Sequence, residues 1–236
     1  MIKDFLLRIT PFSWRFIAID IKNRIWGGFR ETHYSQNGED IAVGKIFSGQ
    51  AKGFYVDVGA HHPKRYSNTY LLYKRGWRGI NIDPNPLTIK LFNRYRKGDI
   101  NVQCGVSDEK KEMDYYNFSD PAVNTFSPNE AAVLSGKKWL KLLDIKKVSV
   151  RPLGELLEQY VPAGTNVDLL NVDTEGLDIE VLRSNNWNKF RQKAIIVEDH
   201  SFSPDDPHQS AVYAFLSDRY RLHSFMNFSL IFIEKI

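Results

Sequence analysis

Four polar stretches of this chain have the residue types and spacing to grip a nucleoside and move a proton. In Val56-Asp57-Val58-Gly59-Ala60-His61-His62-Pro63 an apolar, β-branched run stops at an acid and a glycine. In Ile80-Asn81-Ile82-Asp83-Pro84-Asn85-Pro86 a second short apolar run stops at an acid. An acid about 20 residues beyond a glycine-bearing turn at a strand end can accept hydrogen bonds from ribose hydroxyls. Gly59 and Asp83 meet that spacing. The other two stretches, Asp173-Thr174-Glu175-Gly176-Leu177-Asp178 and Glu198-Asp199-His200, also follow short apolar runs. Carboxylates from Asp173 and Glu198 can bind a divalent cation, and a histidine with a pKa near neutrality suits proton transfer.

These groups need a scaffold that gathers strand ends. Strands are predicted at 54–58, 79–82, 100–106, 168–172 and 194–197, from short apolar runs bounded by polar or turn-forming residues. Helices are predicted at 86–96 behind Pro86, at 152–160 behind Pro152, at 178–182 and at 209–218. A short helix follows the polar turn Tyr34-Ser35-Gln36-Asn37-Gly38-Glu39-Asp40, and a capped one follows Ser67-Asn68-Thr69. Residues 112–118 alternate as an extra strand, 147–151 form a short one, and 119–129 read as a loop. Strands at 220–226 and 229–234 are joined too tightly for a crossover, so they make a hairpin. The expected class is α/β: a seven-stranded, mostly parallel sheet with one antiparallel strand and helices on both faces.

The cofactor turn departs from the phosphate-binding patterns. Gly59 is followed by Ala60, His61, His62 and Pro63, so the second and third glycines of a dinucleotide fingerprint are missing and Pro63 removes a donor. A nucleoside without a pyrophosphate, such as S-adenosylmethionine, is expected in preference to NAD.

Taken together and in order, Tyr34-Ser-Gln-Asn-Gly-Glu-Asp40, Val56-Asp-Val-Gly-Ala-His-His-Pro63, Ser67-Asn-Thr-Tyr70, Ile82-Asp-Pro-Asn-Pro86, Val172-Asp-Thr-Glu-Gly-Leu-Asp178 and Val197-Glu-Asp-His200 resemble the FkbM-type methyltransferases. The resemblance covers about residues 33–234. It implies the class I, Rossmann-like methyltransferase architecture over 33–236 and S-adenosylmethionine-dependent transfer to a hydroxyl. The acceptor hydroxyl is typically on a sugar of a glycan, glycolipid or polyketide-type product. A non-sugar hydroxyl, an NAD-dependent oxidoreductase and a non-catalytic Rossmann-like binding module remain the competing readings.

Candidate cofactor-binding residues are Gln36, Asp57, Gly59, Ala60, His61, Asn68, Thr69, Asp83, Pro84, Ser107 and Asp173. Ala60 and His61 would face the methionine part, Asp57 would orient the turn, Asp83 would take the ribose and Pro84 would pack near the adenine. Ser107 ends the third strand, where an adenine amino group can be read. Capping is the competing explanation for Asp83, Asn68 and Thr69, and the helix dipole for Glu39 and Asp40. Gln36, with Ser35 and Glu39, would form a flap. The catalytic candidates are His200 as base, with Asp173 and Glu198. Asp173 and Glu198 can bind Mg²⁺ or Mn²⁺ to acidify the acceptor hydroxyl. In the metal-free alternative Asp173 holds the methionine amino group and Glu198 orients His200. Tyr115, Tyr116, Phe118 and Phe126 could stack on a sugar ring.

The bulk properties bound these readings. With 236 residues, 42% hydrophobic and 25% charged, the chain suits a single folded catalytic domain. The net charge is +4, and residues 1–30, with six Lys or Arg against two Asp, hold the whole excess. Residues 1–32 are expected to be a basic, aromatic-rich helical segment, with Thr10 capping, Pro11 first in the helix and Gly27-Gly28 ending it. Such a segment can lie on an anionic membrane surface, or pack on the domain or on a second copy of the chain. The remainder is charge-balanced, so no nucleic-acid partner is expected. No secretory leader pattern is seen, and the lone Cys104 reads as buried filler in a reducing, cytoplasmic setting. Trp139 and Trp187 are expected in packing roles.

Overall fold

The computed structural model describes residues 11–28 and 30–235. The chain forms two units, Met1–His33 and Tyr34–Ile236. In the first unit, helix α1 spans Phe12–Trp26 and ends at Gly27, whose φ of 65° is the left-handed geometry glycine adopts freely. Pro11 occupies the cap position (φ −55°, ψ 144°) rather than the first helical turn. Thr10, the expected cap, lies outside the described residues.

The second unit runs α2 (Glu39–Ile46), β1 (Phe54–Val58), α3 (Tyr70–Lys74), β2 (Arg78–Asp83), α4 (Pro86–Tyr95), β3 (Ile100–Gln103), β4 (Gly105–Val106), β5 (Lys111–Phe118), α5 (Pro128–Ser135) and β6 (Leu142–Arg151). It continues with α6 (Leu153–Tyr160), β7 (Leu169–Val172), α7 (Asp178–Arg183), β8 (Ala194–Glu198), α8 (Ala211–Leu216), β9 (Tyr220–Met226) and β10 (Ser229–Glu234). Seven strands form one sheet in the order β3-β2-β1-β7-β8-β10-β9. The β1, β2, β3, β7 and β8 pairings are parallel, while β10 is antiparallel to both β8 and β9. The tight link is a hairpin turn with Asn227 at φ 55°, a conformation asparagine tolerates better than most residues.

Strand alternation feeds two apolar layers. Val56 and Val58 of β1 join Leu153, Leu156 and Leu157 of α6 and Val181 of α7. Tyr55, pointing the other way, joins Val43 of α2, Leu72 of α3 and Trp77. Helices therefore cover both faces, and the parallel strands end together at one edge.

Four local expectations change. The strand expected over 100–106 breaks at Cys104, and β4 crosses into a second sheet of order β4-β6-β5. Gly105 permits this close approach, since a Cβ there would sit 2.7 Å from both Phe126 and Val150 side chains. Strand β6 begins five residues before the expected start, in a stretch whose mostly exposed side chains leave no apolar pattern. Helix α5 falls where none was assigned; Ser127 caps it by accepting from the Glu130 N–H at 3.3 Å. Trp139 is 67% exposed rather than packed, beside Lys137 in the turn after α5. Trp187 does pack, with its Nε1–H donated to the Leu182 carbonyl at 2.9 Å.

Candidate active site

The site begins where β1 and β2 end. The Gly59 and Ala60 N–H groups donate to the Ile82 carbonyl at 3.0 and 3.2 Å, folding the turn back over β2. Gly59 has φ 75°, and a Cβ on it would lie 1.6 Å from the Asp173 carbonyl oxygen. His61 follows at φ 48°, a strained conformation for a side-chain-bearing residue. Its N–H donates to Asp83 Oδ2 at 3.0 Å, and the Asn85 N–H donates to Asp83 Oδ1 at 2.7 Å. Asp83 thus locks two turns together. Helix α4 is capped by Asn85, whose Oδ1 accepts from the Leu87 N–H at 2.9 Å. Burial pushes the Asp83 carboxyl up to about 7, against the opposing effect of these hydrogen bonds.

Beneath the turn lies a buried polar layer. Asp57 Oδ2 accepts from Thr69 Oγ1 at 2.6 Å, and its Oδ1 accepts from Asn171 Nδ2 at 2.9 Å. Asn171 Oδ1 in turn accepts from Asn68 Nδ2 at 2.9 Å. Arg96, fully buried, donates from Nη2 to Thr69 Oγ1 at 2.7 Å and to Ser67 Oγ at 3.3 Å. Its guanidinium lies 4.9 and 5.3 Å from the Tyr73 and Tyr70 ring centroids. Thr69 thus links the cation to Asp57, and the Arg96 Nε also lies 3.9 Å from Asp99 Oδ2, a second buried carboxylate. Capping of α3 belongs to Ser67, which accepts the Tyr70 N–H at 3.1 Å. Asn68 and Thr69 serve the polar layer instead. Arg96→Met leaves this layer without its cation. It is expected to cost about 3–5 kcal/mol, read as a lowered urea midpoint at unchanged slope. A loss below about 1 kcal/mol would contradict this account of the layer.

The ends of β7 and β8 bring three carboxylates together. One oxygen each from Asp173, Glu175 and Glu198 lies within 4.8 Å of the others. Burial pushes Glu198 up to about 8, helped by repulsion from Glu175 and Asp178. Burial pushes Glu175 up to about 8 too, with Asp173 and Asp178 adding to it. Asp173 is raised well above the carboxylate range by burial and by Glu198. Glu198 Oε2 is buried and, among the described residues, has no hydrogen-bond partner. Asp178 stands behind the loop and holds it, accepting from the Thr174 and Gly176 N–H groups at 2.9 and 3.2 Å. That staple keeps Glu175 at φ 51°. Thr125 Oγ1 donates to the Glu175 carbonyl at 2.6 Å, tying residues 119–129 to the same loop. Asp199 accepts from Ser201 and from Ser210, which caps α8, so its role is to hold this segment.

A cleft at these strand ends is lined by the candidate residues Gln36, Asp57, Gly59, Ala60, His61, Asn68, Asp83, Pro84, Asp173 and Glu198, and also by Glu175. Past His61, Pro84 and Tyr115 it adjoins a wider groove of about 710 Å³. Thr69 and Ser107 do not line the cleft. Thr69 is drawn beneath it by Asp57 and Arg96. Ser107 follows β4 into the second sheet, with its Oγ 3.0 Å from Asp108 Oδ1. His200 borders a neighbouring cavity of about 220 Å³, with Glu175 and Glu198 forming the wall shared with the cleft. Its Nε2 is 3.4 Å from Glu198 Oε1, its ring lies 4.2 Å from that of Phe228, and its side chain is 61% exposed.

Of the flap residues, Gln36 reaches the cleft. Glu39 is buried instead, accepting from the Asn37 N–H and from Ser229 Oγ at 2.8 and 3.0 Å. Of the aromatic residues expected to stack on a sugar, Tyr115 and Phe126 line the cleft, 4.7 Å apart. Phe118 and Tyr116 pack toward α5 instead. Two contributors had no assigned role, Glu175 and Asn171. Their signals were an acid before Gly176 and an amide inside an otherwise apolar strand.

Comparison with protein families matches residues 57–225 to the Methyltransferase FkbM domain. The match spans the ends of β1 and β2 and the carboxylate cluster. A search of curated proteins returns no match.

Proposed function

The chain belongs to the FkbM methyltransferase family, and from that premise we propose that it transfers a methyl group from S-adenosylmethionine to a hydroxyl of a sugar in a glycan or glycolipid. The observation that carries the cofactor reading is the charge of the cleft. Its lining includes five carboxylates, Asp57, Asp83, Asp173, Glu175 and Glu198, and, among the described residues, no lysine or arginine. Such a wall offers a pyrophosphate no cation, and its crowded carboxyls, raised by burial and mutual repulsion, are suited to ionise against a ligand with a sulfonium and an ammonium group. Glu198 Oε2, buried and without a hydrogen-bond partner among the described residues, asks for the same kind of counter-charge. The strand order with its antiparallel β10 supports reading the fold as the class I type.

When bound, the cofactor supplies a methyl carbon on a positively charged sulfur. Asp83 and the Gly59–His61 turn would hold the nucleoside, and Asp173 the methionine amino group. The acceptor oxygen would take that methyl carbon while sulfur kept the electron pair of the broken C–S bond, so this chain's residues have to orient the hydroxyl and take its proton. The hydroxyl proton leaves through the Glu198–His200 pair. We assign His200 the base and Glu198 the group that orients it, 3.4 Å away. The sugar acceptor would enter from the cavity that His200 borders. Asp173 and Glu198, with Glu175 beside them, are also a hard-oxygen donor set that fits Mg²⁺ or Mn²⁺. A metal there would acidify the hydroxyl.

The test is transfer of a labelled methyl group to a panel of glycans and glycolipids, with His200→Ala beside the parent protein. Label is expected in a methyl ether, and His200→Ala is expected to lower turnover about 100-fold while S-adenosylhomocysteine affinity stays within a few fold. Full turnover by His200→Ala would remove the histidine from the mechanism. Label entering only non-sugar hydroxyls would overturn the acceptor class. Heat from Mn²⁺ titration, lost in Asp173→Asn, would support the metal site; no heat would refute it.

A further inference from the structure

Helix α1 is neither used by the methyl-transfer site nor explained by it. Its residues Trp14, Ile17, Ala18, Ile21 and Ile25 recur at the three- and four-residue spacing that places side chains on one helix face. The four large ones are exposed, Trp14 at 70% and Ile25 at 68%. At about 100° per residue, Arg24, its Nε 2.9 Å from Asp20 Oδ2 in an exposed ion pair, borders this stripe on one side and Lys22 on the other. Phe16 and Ile19 are exposed too, but they lie on the opposite side of the helix and Asp20 flanks them. The stripe framed by cations on both edges is the one suited to a phosphate-rich, apolar interface.

We infer that α1 docks this protein on an anionic lipid bilayer, with the Trp14–Ile17–Ile21–Ile25 stripe lying in the interface. Three observations favour this occupant over a second copy of the chain. The whole positive excess of the protein lies in residues 1–30, which would repel an identical segment and attract anionic headgroups. Tryptophan beside flanking Arg and Lys is a pattern of interfacial helices, whose long cationic side chains reach up to the headgroups. The helix has 15 residues, about 22 Å at 1.5 Å per residue, short of the ~30 Å hydrocarbon core. Among the described residues no helix is long and apolar enough to cross a membrane. Lying in the surface is what such a helix can do.

The experiment is flotation of the full chain with phosphatidylcholine vesicles, with and without phosphatidylglycerol. The parent protein is expected to float with the anionic vesicles only, and to release at high salt as screening shortens the reach of the charges. Lys22→Ser and Arg24→Ser are each expected to weaken partition about fivefold. Ile17→Asp/Ile21→Asp is expected to abolish it. These positions are exposed, so S-adenosylhomocysteine affinity and melting temperature should match the parent and report correct folding. Absence of flotation with either vesicle overturns the inference, as does equal flotation with neutral vesicles. So does a dimer in sedimentation analysis that Ile17→Asp/Ile21→Asp dissociates without any vesicle binding, because a second copy then covers the stripe.

Discussion

Gly59→Ala is expected to yield a protein that neither binds S-adenosylhomocysteine nor retains its cooperative unfolding at the parent midpoint. The new Cβ would fall 1.6 Å from the Asp173 carbonyl oxygen, and that atom belongs to the backbone end of β7 rather than to a yielding side chain. The residue also sits at φ 75°, where a side chain is strained even in open space. Relief requires β1 and β7 to part at the point where cleft and carboxylate cluster meet, so the cost should exceed about 4 kcal/mol. Gly76→Ala is the control. It has a comparable φ of 96° but nothing within 4 Å of the added atom, so it should cost only about 1 kcal/mol. Urea unfolding and calorimetry on the pair separate steric overlap from backbone strain. Equal behaviour of the two variants would refute the close approach.

Asp173→Asn is expected to lower turnover by about 1,000-fold and yet to raise stability at alkaline pH. Burial and mutual repulsion raise Asp173, Glu175 and Glu198 in the folded protein, the last two to about 8. Unfolded, such carboxyls titrate near 4. Between those limits the folded state therefore holds more protons than the unfolded one. Stability must fall as pH rises from about 4.5 to about 8, where three crowded charges replace a protonated cluster. The asparagine removes one charge and flattens that decline. Its melting temperature should match the parent near pH 5 and exceed it near pH 9. A cationic ligand should oppose the same decline, so S-adenosylmethionine should stabilise the parent more at pH 9 than at pH 6. Melting curves across this range decide the matter; a parent protein that gains stability on alkalinisation would show that the cluster is not charge-crowded.

The strand ends were legible because acids and glycines interrupt apolar runs there: Asp57 and Gly59, Asp83, Asp173 and Glu198 all line the cleft. Less legible was what lies one layer below. Thr69 resembles a helix cap, yet Asp57 and a buried Arg96 claim its hydroxyl from 12 and 27 residues away. No local pattern announces a cation that will be buried among tyrosine rings. Ser107 followed a strand that leaves its sheet at Cys104, a departure set by pairing with β6 45 residues later rather than by local propensity. The capping sequence of α5, Ser127 with Glu130 three residues on, was readable; the exposed first half of β6 carried no apolar alternation to read. His200 was placed correctly after its strand, and only the fold shows that it meets Glu198 from the far side of the carboxylate wall.

The central claim is that the acid-lined cleft binds the sulfur-bearing nucleoside of a methyl donor. Calorimetric titration with S-adenosylhomocysteine, with NAD as the comparison ligand and Asp83→Ala as the comparison protein, tests it most directly. The account predicts saturable binding of S-adenosylhomocysteine, loss of most of that affinity in Asp83→Ala, and no heat from NAD. Silence toward S-adenosylhomocysteine, or tighter binding of NAD, would contradict it.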